Sequence, residues 1–333
     1  MQEIEQLSPI EAVRKRPGMY VGSAGFFGLI NYLVSPFNLN LAAGAERISA
    51  SLSDGAFRID SDVAIEVVDA GDGMLRPFET PLIGGHSLHG CILAALSENL
   101  AVTTSHDGLR RTLAYSRGEL RSDVEQPSDG SDFTSFAFSP DPTIFTVLNL
   151  SPSVFDSYLR RMSYLHPKVR FQFGVGKDLT DYYSENGLPD LFRAITSQYQ
   201  ILHSPIHFRA SDGDLQLEMI FAYQSWTGNV LWSFVNGGRA AEGGTHEVGL
   251  TKALARFPKM AGFECPAGTL ALMSIYYSGV TYEGCVKEKV STPELTERVD
   301  RLATEQLEFW ISRNSSECDF LRSMERFQFA DIW

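Results

Sequence analysis

The chain is poor in cysteine. Four occur in 333 residues, at 91, 265, 285 and 318, and no two make a C-x-x-C pair. A zinc ribbon, a dithiol redox motif and a disulfide scaffold are therefore excluded, and reduced thiols in a cytoplasm are expected. Long apolar runs are also missing. None is long enough to span a bilayer, and the opening MQEIEQLSPIEAVRKRPG has no apolar signal core. Positive charge is the third deficit: 28 Lys and Arg against 41 Asp and Glu give a net charge of -13. That argues against a broadly basic nucleic-acid surface and leaves room for a local basic patch, so any DNA contact is expected to be indirect or weak. His86 and His89 have metal-ligand spacing, but no carboxylate ligand stands near them, and no metal site is expected. What remains is a globular composition, 44% hydrophobic and 21% charged. Single cores rarely grow past about 250 residues, so two domains are expected.

The stretch that organises the chain is 65–73, IEVVDAGDG. Its apolar run stops at D-x-G-x-G, which reads as a buried strand ending in a tight turn. Glycines there let a backbone approach a flat ligand, and a carboxylate at the strand end can accept a hydrogen bond from an exocyclic amine. Upstream, Ser8, Pro9 and Glu11 mark a helix start that Pro17 and Gly18 end, with Arg14, Lys15 and Arg16 as its solvated end. Residues 28–44 read as an apolar helix broken at Ser35 and Pro36. Residues 45–52 and 57–68 read as strands, as do 101–104, 109–116 and 133–138, whereas the acidic tract 122–132 reads as an exposed loop. A helix is expected within 143–162, and Asp212 with Gly213 signals a hairpin between 207–211 and 215–223. Ser291 to Glu294 has the spacing of a capping box before a last helix that runs to about Ile311, and the tail 320–333 is unusually aromatic.

Several strings carry a family resemblance. EAVRKRPGMYVGS (11–23), IEVVDAGDG (65–73), GGHSLHG (84–90) and, most of all, SFVNGGRAAEGGTHEVGLTKAL (233–254) resemble the ATPase region of the B subunits of DNA gyrase and topoisomerase IV. The likeness spans about residues 11 to 305. It implies an α+β chain: a GHKL (Bergerat-type) α/β sandwich in 1–205, then a transducer domain like the ribosomal S5 fold in 206–333 with a C-terminal helix and aromatic tail. Residues 177–186 fall where the family has the helix that closes the first domain.

By position, the resemblance makes Asp69 the partner of the adenine amino group, with Gly71 and Gly73 in its turn. Gly85, Leu88, His89 and Gly90 stand in the phosphate turn under the lid, Thr134 supports adenine recognition, and Lys287 reaches the terminal phosphate. The implied ligand is ATP or ADP. The catalytic end departs from the family. Ser35 falls at the glutamate that activates water, and Leu39, beside Asn38 and Asn40, at the magnesium-binding asparagine. Asp72 replaces an arginine and Cys285 a glutamine, and the lid is short. No catalytic residue and no magnesium site are therefore expected, which should nearly silence turnover. Nothing resembles the metal-binding Toprim part needed for DNA cleavage. The expected function is a non-hydrolysing interaction or regulatory module, pairing with itself or with a gyrase or topoisomerase subunit, cytoplasmic and without a membrane. A slow ATPase using Glu66, Asp72 or Glu79, and a nucleotide sensor, are the alternatives.

Overall fold

A computed structural model describes residues 7–53, 56–69, 74–79, 87–148, 151–175, 178–225, 228–264, 268–283 and 289–324. The tight turns write much of the strand order. Two-residue turns with both φ positive have the twist that antiparallel partners need. Asp107 and Gly108 (φ 49° and 76°) make one, and Arg117 and Gly118 (φ 50° and 87°) another. They fold Ser97–His106, Leu109–Ser116 and Glu119–Pro127 into a meander.

The chain divides into two units, Met1–Ser184 and Glu185–Trp333. In the first, an eight-stranded sheet runs in the order Asp178–Tyr182, Arg170–Val175, Arg47–Ser53, Ala56–Ser61, Phe133–Pro140, then the meander from Ser97 outward. Alternate residues turn to one face: Phe171 and Phe173, Ile48 and Ala50, Phe57 and Ile59, Phe136 and Phe138, Leu100 and Val102 are all buried. Each fully buried phenylalanine contributes roughly 2–3 kcal/mol. The helices Phe26–Leu33, Ser35–Ala42, Ser87–Leu96 and Pro152–Leu165 supply the rest of this core. The opposite face is polar, and a groove of about 570 Å³ lies there, lined by Arg47, Ser49, Asp60, Arg170 and Gln172 among others.

Helix Pro9–Lys15 starts at the capping box of Ser8 and Glu11, as expected. Arg14 is not a solvated end. Its guanidinium donates to the Ala95 carbonyl at the end of Ser87–Leu96 and to the Asp141 carboxylate at 2.8 Å, whose side chain is fully buried. Burial pushes the Asp141 carboxyl up. Hydrogen bonds from Thr143 and Arg14 outweigh that and hold it below the usual range.

The second unit has a five-stranded sheet in the order Ile206–Asp212, Leu215–Gln224, Gly268–Tyr276, Val230–Val235, Gly238–Arg239. Val230–Val235 and Gly268–Tyr276 are parallel, and helix Thr245–Ala261 makes the crossover between them. That helix packs on Glu294–Arg313, and Leu250, Ala253, Phe257, Leu295, Val299 and Leu302 share its core. Helix Leu188–Thr196 packs on Leu215–Gln224 and so belongs to this unit, although it precedes Ser204 and Pro205 in the chain.

Four local readings change. The strand expected over 57–68 ends at Ser61. Residues 62–67 are irregular, and only Val68–Asp69 pairs again, with Leu75–Arg76 outside the main sheet. The acidic loop expected over 122–132 begins as edge strand Glu119–Pro127; every residue of it is exposed, so no alternation marked it. A strand, Asp178–Tyr182, stands where a closing helix was expected over 177–186, because its backbone completes the sheet beside Arg170–Val175. Ser291 does not cap the following helix. Pro293 is the N-cap, and the Thr292 hydroxyl instead accepts from the Thr281 amide at 2.7 Å. A further helix, Ser315–Met324, follows Glu294–Arg313 and includes Phe320. The rest of the aromatic tail lies outside the described residues.

Candidate functional site

The candidate site is built on the irregular run 62–67 and the short strand Val68–Asp69 that follows it, held by side chains from two strands. Thr134 in Phe133–Pro140 is fully buried. Its hydroxyl accepts from the Ile65 amide at 2.8 Å and donates to the Val63 carbonyl at 2.8 Å. Arg111, in Leu109–Ser116, donates to the Val67 carbonyl at 2.8 Å and makes a forked pair with Asp123 at 2.9 and 2.7 Å. Two clamps thus deliver Val68–Asp69 to the surface, where Asp69 is exposed. Thr134 thus holds the segment that leads to Asp69. Arg111 was missed in the sequence. The signal was available: it occupies the inward register of Leu113 and Tyr115, an unusual place for a charge.

The next wall is the start of Ser87–Leu96. Leu88 and His89 are half-buried in its first turn and Gly90 is buried. A Cβ on Gly90 would lie 2.6 Å from the Pro77 carbonyl oxygen, so glycine is what lets the helix approach residues 75–79. Glu79 spends its carboxylate on the Leu75 amide at 2.8 Å. Burial, and then the Glu79 charge, push the Cys91 thiol up to about 12 and raise the Tyr115 hydroxyl as well. Gly71, Asp72, Gly73, Gly85, His86, Cys285 and Lys287 lie outside the described residues.

The helix pair beneath the site carries no acid. Phe26–Leu33 and Ser35–Ala42 meet at Val34, as the Ser-Pro break implied. From Ala12 to Ala45 the chain contains no aspartate or glutamate in any register. Ser35 is buried and donates to the Asn31 carbonyl of the preceding helix at 3.1 Å. Asn40 is buried, and its carbonyl oxygen accepts from Ser61 at 2.8 Å. Tyr32 fills the core with its ring 5.6 Å from Phe138 and 5.2 Å from Phe145, and its hydroxyl bonds Ser97 at 2.7 Å. Among the described residues, no cluster of three His, Cys, Asp or Glu suits a metal. Of the candidate substitutes for the general base, Glu66 is exposed and Glu79 is committed to a backbone amide.

Sheet order, helix layer and crossover define the class: a GHKL-type α/β sandwich followed by an S5-like α/β unit. The particular relation follows from likeness to known proteins. Residues 187–324 match the family model described as DNA gyrase B. The DNA gyrase B subunit of Staphylococcus epidermidis is 27% identical over 94% of this chain and 56% of that protein. The DNA topoisomerase 4 B subunit of Enterococcus faecalis is 28% identical over 94% of this chain and 52% of that protein. The chain spans about half the length of the curated relatives it matches. Among solved structures, the 43K ATPase domain of Thermus thermophilus gyrase B, in complex with an aminocoumarin, superposes with a TM-score of 0.79 at 23% identity, covering 97% of both chains. The gyrase B subunit of Myxococcus xanthus gives 0.75 at 22% identity, covering 93% of this chain and 97% of that one. In sequence and in fold, the chain is related to the ATPase region of the B subunits of DNA gyrase and topoisomerase IV. No described helix is long and apolar enough to cross a membrane.

Proposed function

We propose that this chain is a non-hydrolysing, adenine-nucleotide-binding module that acts by interaction or regulation beside type II topoisomerases. Asp69 takes the adenine amino group, and Thr134 sets the run that presents it. Gly71, Gly73, Gly85, Leu88, His89 and Gly90 line the nucleotide, and Lys287 is the candidate phosphate contact. The partner is a second copy of the chain or a gyrase or topoisomerase subunit, and the place of action is the cytoplasm. One observation carries the reading: the helix pair that would bear the water-activating carboxylate has none, from Ala12 to Ala45. A positioned base typically contributes about 10²–10⁴-fold, and its loss removes that factor from turnover. Glu79 is a poor substitute base, because one of its carboxylate oxygens already accepts from the Leu75 amide.

The test is a titration of the intact chain with ATP and with ADP, with and without magnesium, followed by phosphate release from the same samples. Binding without release supports the proposal. Light scattering of the chain alone and mixed with gyrase B tests the partner. Monomer in both samples counts against an interaction role.

A further inference from the structure

The string EGGTHE, at 242–247, is the strongest family likeness in the chain, yet the site described above gives it no task. Its surroundings supply one. Gly244 has φ 135° and forms a parallel bridge with Val290. The Val290 amide donates to the Gly243 carbonyl at 2.9 Å. A Cβ on Gly244 would lie 2.1 Å from the Val290 carbonyl oxygen, so this approach needs glycine. Val290 also closes a small hairpin: Tyr282–Glu283 pairs with Lys289–Val290, and the Ser291 amide donates to the Thr281 carbonyl at 2.9 Å. Residues 284–288, with Lys287, are the link between these two strands in the chain.

The glycine pair is itself held by buried polar groups. Ser233, in the middle of Val230–Val235, donates its hydroxyl to the Glu247 carboxylate. His246, fully buried, stands with Nε2 2.8 Å from the same Ser233 oxygen. The one serine proton goes to the carboxylate, so His246 must donate from Nε2, which leaves Nδ1 bare. Nδ1 is buried without a hydrogen-bond partner among the described residues, consistent with a neutral ring. The Glu247 carboxylate also packs over Gly243, where a Cβ would be 2.3 Å from its oxygen. The result is a continuous path from strand Val230–Val235, through Ser233, His246 and Glu247, to Gly243, Gly244 and Val290.

We propose that Ser233, His246 and Glu247 are positioning residues that fix the paired strands Tyr282–Glu283 and Lys289–Val290, which flank Lys287 in the chain. The task of Lys287 rests on the function proposed above; the anchor does not. The experiment is site-resolved amide exchange on the intact chain, comparing the Val290 amide with Phe221 in the sheet centre. Ser233→Ala and Glu247→Ala should speed exchange at Val290 by about tenfold or more, the size of one lost hydrogen bond, while Phe221 stays protected. Glu247→Gln keeps an oxygen acceptor and should restore protection at Val290. Gly244→Ala should release Val290 whatever the cluster does, which provides the positive control. Unchanged exchange at Val290 in Ser233→Ala and Glu247→Ala, or acceleration equal to that at Phe221, overturns the proposal. Titration of the same variants with ATP separates the two readings: if the unaltered chain binds no nucleotide, the site assignment falls while the exchange result still decides the anchor.

Discussion

Thr134→Val is the sharpest perturbation of the candidate site. The two side chains are nearly the same size, so the packing hardly changes. What disappears is one hydroxyl that accepts from the Ile65 amide and donates to the Val63 carbonyl, both at 2.8 Å, with the Thr104 hydroxyl as a third, longer partner at 3.3 Å. Ile65 is buried and Val63 half-buried, so neither group gains full access to water in exchange. An orphaned buried polar group costs about 1–3 kcal/mol, and with one orphan partly hydrated the sum is about 2–4 kcal/mol. For a unit of this size that corresponds to a fall in Tm of about 5–15 °C. Thr134→Ser is the control. It keeps the hydroxyl and loses a methyl, which costs roughly 1 kcal/mol. Urea and thermal unfolding, followed by a probe in the first unit, measure both. If Thr134→Val is no less stable than Thr134→Ser, the clamp on residues 63–65 is not what holds the path to Asp69, and the reasoning fails.

Other expectations follow from the same contacts. Asp69→Asn alters an exposed residue, so Tm should stay constant while adenine-nucleotide affinity falls about 10- to 100-fold, as for loss of a charge-assisted hydrogen bond; calorimetry checks it. Arg14→Met leaves the buried Asp141 carboxylate with Thr143 and the more distant Arg117 guanidinium at 3.9 Å, and should cost about 3 kcal/mol in urea unfolding, much of it recovered in Arg14→Met with Asp141→Asn. His246 is pushed down to about 4 by burial. Below about pH 6.5 the unfolded chain takes up a proton that the folded chain refuses, so stability of the second unit should fall from pH 6.5 to about 4, by on the order of 3 kcal/mol. His246→Asn should flatten that slope in unfolding experiments run across this range.

Much of the fold was legible because local chemistry and tertiary structure agree. Ser8 with Glu11, the Ser-Pro break at 35 and 36, and the turn at Asp212 and Gly213 each act within a few residues. The misread segments depend on distant partners. Residues 62–67 look like a continuation of a strand, but their backbone groups go to Thr134 and Arg111, 69 and 44 residues away from Ile65 and Val67. Edge strand Glu119–Pro127 has no buried side, so hydrophobic alternation could not reveal it. Asp178–Tyr182 is a strand because Arg170–Val175 offers it an open edge, which is not a property of its own sequence. In the site, the absence of an acid from the helix pair was readable directly. The roles of Arg111 and Glu79 were not, since both act on backbone groups that only the folded chain brings near.

The proposed function requires a nucleotide pocket that persists without the chemistry to break a triphosphate. Its most direct test is phosphate release by the intact chain at saturating magnesium ATP, in samples where calorimetry has already established binding. The expected result is a bound nucleotide and release no faster than buffer. Magnesium-dependent release that Asp69→Asn abolishes would contradict it.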